Sequence, residues 1–285
     1  MYVLKYYLLF YSLVPSLCAN ILGVFPAQFK SHYIIYNSVM TVLANRGHNV
    51  TVISPFPKPK TSDNFTDIDV KQCDQSPLDD IFAMDQAYKS FNSFTQVNIM
   101  FSLAPLLEPV LRCESVIELL NSEQSFDLII TEIFHSDLSL VFTSKYRVPI
   151  ISFCAIPLLP WAADRVGNPS NPSYIRYPYS DTPLDQKNPT FYQRLMNTIY
   201  YCYAQTISYW SNQRVQKAAE EYFGETRQLS EIAKNTSLVL TFSHFSFNAP
   251  VPLVANVIEI SGVQIKPASP LPLVNIYSYP QIPSS

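Results

Sequence analysis

Residues 20–54 read NILGVFPAQFKSHYIIYNSVMTVLANRGHNVTVIS. Asn20 to Phe25 is a short apolar run ended by Pro26, the length of a buried strand. Ser31 can cap a following helix with its hydroxyl. Ile35, Val39, Val42 and Leu43 then recur at helical spacing, and Gly47 suits the left-handed turn that ends a helix. His48 to Ser54 returns as a β-branched strand. Strand, helix, strand in this span is a βαβ unit, whose two strands run parallel with a right-handed crossover.

The alternation continues outward from this unit. Asp67 to Lys71 is expected to be a third strand, and Leu78 to Leu120 has a helical pattern interrupted by Pro105 and Pro109. Phe126 to Thr131 (FDLIIT) is apolar on both faces, as a central parallel strand is. Leu138 to Tyr146 reads as a helix and Val148 to Cys154 as the next strand. Residues 157–189 form a long irregular loop rich in Pro, Asn and Tyr. Loops of that length inside a domain are usually functional. A helix opens at Asn188 or Thr190 and runs to about Phe223, with Phe191, Leu195, Ile199 and Cys202 as its apolar stripe. Two late strands are expected at Leu238 to Phe242 and Val257 to Ile260. The pattern predicts an α/β fold: a Rossmann-like open, mostly parallel sheet with helices on both faces.

Composition narrows the function. Of 285 residues, 48% are apolar and 14% charged, so the chain can bury a sizeable core. The net charge of −3 gives no footing for nucleic acid. Only five glycines occur, scattered, and a glycine-rich phosphate loop is absent. Residues 1–19 pair Lys5 with an apolar core and small residues before Asn20, the pattern of a secretory signal peptide. No later stretch has the length of a membrane span. Asn49, Asn64 and Asn235 head glycosylation sequons, in keeping with a luminal chain. The cysteines after the signal are Cys73, Cys113, Cys154 and Cys202. Their wide spacing forms no zinc or thioredoxin motif. Cys154 falls in an apolar strand and reads as core, and one disulfide is possible with its pairing open. The domain is expected to cover 20–265, and 266–285 to be a proline-spaced tail.

Four stretches, in order, carry a resemblance. They are Phe29–Tyr33 leading into Leu43–Ile53, then Phe126–Glu132, Trp161–Tyr174, and Leu240–Phe245 with Pro250–Glu259. Together they resemble the N-terminal, acceptor-binding half of an animal, insect-type UDP-glycosyltransferase. The resemblance implies a GT-B-type arrangement, in which this half holds a small lipophilic acceptor and a second half, missing here, holds the UDP-sugar. It also implies a co-substrate in place of any cofactor, no metal, and a place in the endoplasmic reticulum lumen or beyond it. Pairing with full-length relatives is a further expectation. Three readings stay open: a partial enzyme, an inactive dimerising or acceptor-binding module, and a secreted carrier.

The chemistry of such a transfer asks for a base on the acceptor hydroxyl. An imidazole titrates near neutrality, and a carboxylate on its far nitrogen holds one tautomer and steadies the imidazolium. His32 follows the first strand, where ligand sites of open α/β sheets gather, and the resemblance implies that it is the base. Its acid is Glu132 or Asp137, both at the carboxyl end of FDLIIT. The resemblance puts Glu132 at the position of the family's usual Asp, yet leans slightly to Asp137 because insect-type members often carry an acid there, and Asp137 could instead cap a helix. Phe91, Phe94, Met100, Phe101 and His135 are the candidate acceptor contacts, together with the loop after Phe153. An aromatic stripe at helical spacing is also what core packing produces. His48 and Asp127 read as structural, and His244 as ordering its own loop.

Overall fold

The computed structural model describes residues 18–58, 62–73, 92–181, 188–248 and 250–268. Strand β1 (Asn20–Val24) leads through helix α1 (Lys30–Asn45) to β2 (Asn49–Ser54), and the two strands pair in parallel with Leu22 beside Thr51. Ser31 lies inside α1, whose N-cap position is Phe29 with no side-chain cap, so the hydroxyl does not have the capping role expected of it. Gly47 closes α1 at φ 94°, and its amide donates to Ala44 O. Gly23 lets α1 lie close on β1: a β-carbon there would meet the Met40 Cε at 2.8 Å.

Strand β3 (Phe65–Asp69) pairs with the outer edge of β2, two residues earlier than expected. Helix α2 (Ser93–Ser102), a 3₁₀ turn (Ala104–Leu107), α3 (Glu108–Leu111) and α4 (Glu114–Asn121) return the chain to β4 (Leu128–Glu132), on the other side of β1. A 3₁₀ turn (Leu138–Val141) runs into α5 (Phe142–Tyr146), where one helix was expected. Strand β5 (Ile150–Cys154), α6 (Pro160–Arg165), α7 (Phe191–Phe223), α8 (Leu229–Ala233), β6 (Thr236–Thr241), α9 (Phe245–Asn248) and β7 (Val257–Glu259) complete the order. Among the described residues the seven strands are all parallel, in the order β3-β2-β1-β4-β5-β6-β7. The order reverses between β1 and β4, and the crevice at the carboxyl ends of such a pair is where ligands bind.

Alternate residues of each strand feed opposite faces. Ile21, Val50, Val52 and Phe153 pack with Tyr36 and Met40 of α1 on one face. Leu22, Ile53 and Ile129 pack with Val116, Leu140 and Phe142 on the other. A disulfide joins Cys73, just after β3, to Cys113 at the start of α4, while Cys154 is buried and free.

Helix α7 departs from expectation. Thr190 and Gln193 form a reciprocal capping box at its start. Its stripe, however, points outward: Phe191, Leu195, Ile199 and Cys202 are exposed. The face packed inward is Asn197, Tyr200, Ala204, Ser208, Ser211 and Val215. These mostly small side chains let α7 approach α2 and α6 closely. Buried Asn197 sets its rotation, accepting from Tyr177 N at 2.8 Å and donating to Pro172 O and Ile175 O.

Candidate active site

Helix α1 presents His32 and Tyr36 one turn apart, hence on one face. That face meets the last residue of β4, Glu132. His32 Nδ1 lies 2.5 Å from Glu132 Oε1, and the Tyr36 hydroxyl donates to the same oxygen at 2.8 Å. The His32 side chain keeps 13% of its surface exposed and Glu132 8%. Phe29 and Phe134 flank the imidazole, with ring centroids 5.1 and 4.7 Å away. Tyr36 is held in turn by the Phe25 ring, stacked at 4.8 Å.

Burial pushes the Glu132 carboxyl up, but the charge and hydrogen bond of His32, the field of His135 and the Tyr36 hydroxyl together hold it below the usual carboxylate range. It is therefore ionised at neutral pH. An ionised carboxylate only accepts, so His32 Nδ1 carries the shared proton, and in the neutral imidazole Nε2 is the nitrogen with the free lone pair. Burial first, then the Glu132 charge, pushes the Tyr36 phenol well up, and it stays a donor.

Asp137 is not brought to His32. It pairs with Arg165 of α6, and both side chains are buried. A buried guanidinium needs a carboxylate beside it, and Asp137 sits where the turn after β4 meets α6. It makes no side-chain cap for the turn it precedes. His135 packs edge-on against both the Phe29 and Phe134 rings, 3% exposed, and its Nδ1 has no partner among the described residues. Burial pushes this imidazole down to about 4, against an upward pull from Glu132.

Of the expected acceptor contacts on α2, Met100 and Phe101 are packed into the core with Trp161, Tyr200 and Val239. Phe94 meets the Tyr200 and Tyr203 rings at 4.8 and 4.9 Å beneath α7. Phe91 lies outside the described residues. A cavity of about 620 Å³ opens instead at the carboxyl ends of β5, β6 and β7, lined by Ile156, Arg176, Tyr179, Tyr201, Phe247 and Glu259 among others. Its roof is the long loop. Asn168 ties that loop down, accepting from Val254 N at 2.9 Å and donating to Pro252 O at 3.1 Å. The composition of residues 157–189 was the sequence signal for this wall.

The remaining candidates have local partners. His48 Nδ1 accepts from Ala19 N, Asp127 from Asn20 N, and His244 contacts Ser246. Asn49 begins β2 and bonds Asn20, Asn64 lies in the turn before β3, and Asn235 is exposed just before β6. Among the described residues no helix is long and apolar enough to cross a membrane.

An imidazole–carboxylate pair thus lies at the switch point of an open, parallel α/β sheet. Residues 20–281 match the family model described as UDP-glucoronosyl and UDP-glucosyl transferase. The chain belongs to that family and corresponds to its N-terminal half. It is 37% identical over 269 residues to UDP-glycosyltransferase UGT5 of Dactylopius coccus, covering 89% of this chain and 49% of that protein. UDP-glucosyltransferase 2 of the same insect is 33% identical over 90% of this chain and 49% of its own length. UDP-glucuronosyltransferase 2B33 of Macaca mulatta is 26% identical over 90% and 50%. The chain thus spans about half the length of the curated relatives it matches. Among solved structures, the calicheamicin glycosyltransferase CalG4 is similar at a TM-score of 0.37 and 12% identity, covering 86% of this chain and 53% of that one.

Proposed function

We propose that this chain supplies the acceptor side of an inverting glycosyl transfer from a UDP-sugar to a hydroxyl of a small lipophilic molecule, with His32 as general base and Glu132 as the residue that orients it. The observation that carries the reading is the 2.5 Å contact between His32 Nδ1 and Glu132 Oε1 at the switch point.

An acceptor hydroxyl placed on His32 Nε2 gives up its proton there as its oxygen attacks the anomeric carbon of the sugar. The bond from that carbon to the diphosphate oxygen breaks on the opposite face. UDP leaves with the electron pair, and the configuration inverts. The imidazolium is steadied by Glu132, itself held by Tyr36. Phe29 and Phe134 make the surroundings of the imidazole apolar, which suits a greasy alcohol or phenol. The cavity beyond β5–β7 lies along the same edge of the sheet, about two strand spacings (roughly 10 Å) from β4, and offers room for an acceptor body. The UDP-sugar is held mainly by the part of the longer relatives that this chain does not cover. The setting is the secretory pathway, in keeping with the signal-like residues 1–19.

The test joins this chain to the C-terminal half of Dactylopius UGT5 and measures transfer from UDP-sugars to a panel of phenols. His32→Ala is expected to lower the rate by about 10²–10⁴-fold with expression intact. Turnover retained in that variant overturns the base assignment.

A further inference from the structure

A second cavity, of about 550 Å³, opens at the amino ends of β5 and β6, on the sheet edge opposite to the His32–Glu132 pair. The length of β5, about 13 Å, separates the two edges. Its wall joins the end of α5 to the loop between α7 and α8 and to Asn235. The lining is of three kinds. Val148, Pro149 and Ile232 are apolar, Arg147 and Arg227 only donate, and Glu225 only accepts when ionised. The nearby lysines are engaged elsewhere: Lys145 donates to Leu120 O and Ser122 O, and Lys234 pairs with Glu231 at 2.7 Å. Ser144 Oγ, in the same wall, is buried with no partner among the described residues. Arg147 ends α5 at φ 52°, the one positive φ outside glycine among the described residues. Backbone of that kind persists where its surroundings over-determine it, and it clusters at ligand sites.

This mixture of groups says what fits. An anion would face Glu225, and an apolar ligand would strip water from two guanidinium groups and a carboxylate without replacing it. A sugar suits all three kinds of wall: its C–H faces rest on Val148 and Pro149, and its hydroxyls accept from the arginines and donate to Glu225. A source of sugar stands in the wall itself. Asn235 heads the sequon Asn235-Thr236-Ser237, and Asn235 and Ser237 are both exposed. The backbone there is fixed, with Asn235 N on Ile232 O at 2.9 Å and Thr236 Oγ1 on Ala233 O at 2.7 Å. The other sequons differ: Thr51 is buried in β2 and accepts from Gln124, and Asn64 is half-buried in its turn. We propose that Asn235 carries an N-linked glycan whose first sugars fold back into this cavity and become part of the packing of the domain. The inference rests on the secretory setting proposed above. In that setting Asn235 Nδ2 attacks C1 of an oligosaccharide held on a lipid diphosphate. The C–N bond forms, the C–O bond breaks, the diphosphate leaves with the electron pair, and the amide gives up one proton to base. A free sugar binds an open cleft weakly, but one tethered at its rim has an effective concentration of about millimolar order, enough to populate a weak contact.

Expression of the whole 285-residue chain in insect cells, followed by glycopeptide mass spectrometry and amide hydrogen exchange, tests this. Asn235 is expected to be occupied. The amides of residues 143–150 and 224–232 are expected to exchange at least about threefold more slowly than in Asn235→Gln, and than in the natural chain once an amidase has released the glycan. Glu225→Ala/Arg227→Ala should keep the glycan and lose that protection. The amidase comparison starts from folded protein, so it decides the point even where Asn235→Gln does not fold. An empty Asn235 overturns the inference. So do exchange rates that the glycan leaves unchanged, and protection that survives in the double variant. Occupancy at Asn49 or Asn64 with Asn235 empty leaves the secretory setting standing and removes only this inference, whereas three empty sequons remove both. None of these readouts involves glycosyl transfer by the chain, so failure here leaves the His32 assignment standing.

Discussion

Acidification should weaken this fold through one residue, His135. Its imidazole is buried against Phe29 and Phe134 with Nδ1 unpartnered among the described residues. Burial, with a smaller push from His32 in the same direction, brings its pKa down to about 4 from an ordinary 6.5. Below 6.5 the unfolded chain takes up a proton at this position, while the folded chain stays neutral until the pH nears 4. The unfolded state then binds more protons, so stability falls as the pH falls. Integrating between these two values gives a loss of about 2 kcal/mol from pH 7 to pH 5, and about 3 kcal/mol by pH 4. Against a typical total of about 5–15 kcal/mol this is a large share. Glu132 does not imitate the effect. Its pKa is held below the ordinary 4.5, so its contribution persists above that value and is lost only as the pH drops through the lowered one. Urea unfolding at pH 7, 6 and 5 measures the difference against His135→Phe, which keeps an aromatic ring in an aromatic pocket. The variant is expected to be less sensitive to pH, so that its stability relative to the natural chain rises by about 2 kcal/mol between pH 7 and 5. Parallel curves for the two proteins refute the reasoning, because they would mean that His135 takes up its proton alike in both states.

Two further outcomes follow from buried or constrained groups. Arg165→Met strands Asp137 as an uncompensated buried charge and should destabilise the chain by about 3–5 kcal/mol in denaturant unfolding, with much of the loss recovered in Asp137→Leu/Arg165→Met; an unchanged midpoint in the single variant counts against the pair. The Cys73–Cys113 bridge closes a loop across a sequence separation of 40, so Cys73→Ser/Cys113→Ser should lower stability by about 4 kcal/mol if constraint of the unfolded chain is the main term. Reductant should lower the natural chain toward that level and leave the double variant unmoved.

What the sequence made legible depends on the kind of information each element carries. The βαβ unit of residues 20–54 could be read because strand, helix and turn each left a local mark: the apolar run of NILGVF, the spacing of Ile35 to Leu43, and Gly47 in a conformation only glycine takes freely. Periodicity alone cannot say which side of a helix faces in. On α7 the large residues and the small ones make complementary stripes, and an apolar-in rule selects Phe191, Leu195 and Ile199. The structure selects the other side, because Ala204, Ser208 and Ser211 permit a close approach that bulky residues forbid, and because Asn197 has three backbone partners there. Likewise Met100 and Phe101 of α2 have the same spacing whether they line a pocket or fill a core, and Trp161, sixty residues away in sequence, turns them into core.

The acid beside His32 shows the same limit at the scale of single atoms. Glu132 and Asp137 are both carboxylates at the end of one strand, and the chain between them is too short for spacing to separate them. Two distant residues decide the matter. Tyr36, one turn beyond His32, sends its hydroxyl to Glu132, so α1 brings an imidazole and a second donor to a single oxygen. Arg165, from a helix entered only after β5, reaches Asp137 first. A carboxylate satisfied by a buried guanidinium is poorly placed to accept from an imidazole as well, whereas one that is satisfied by the imidazole and a phenol is already in the protonation state that fixes the tautomer. The partner of His32 is thus set by where α6 begins, a tertiary fact that no window of sequence around residue 132 contains.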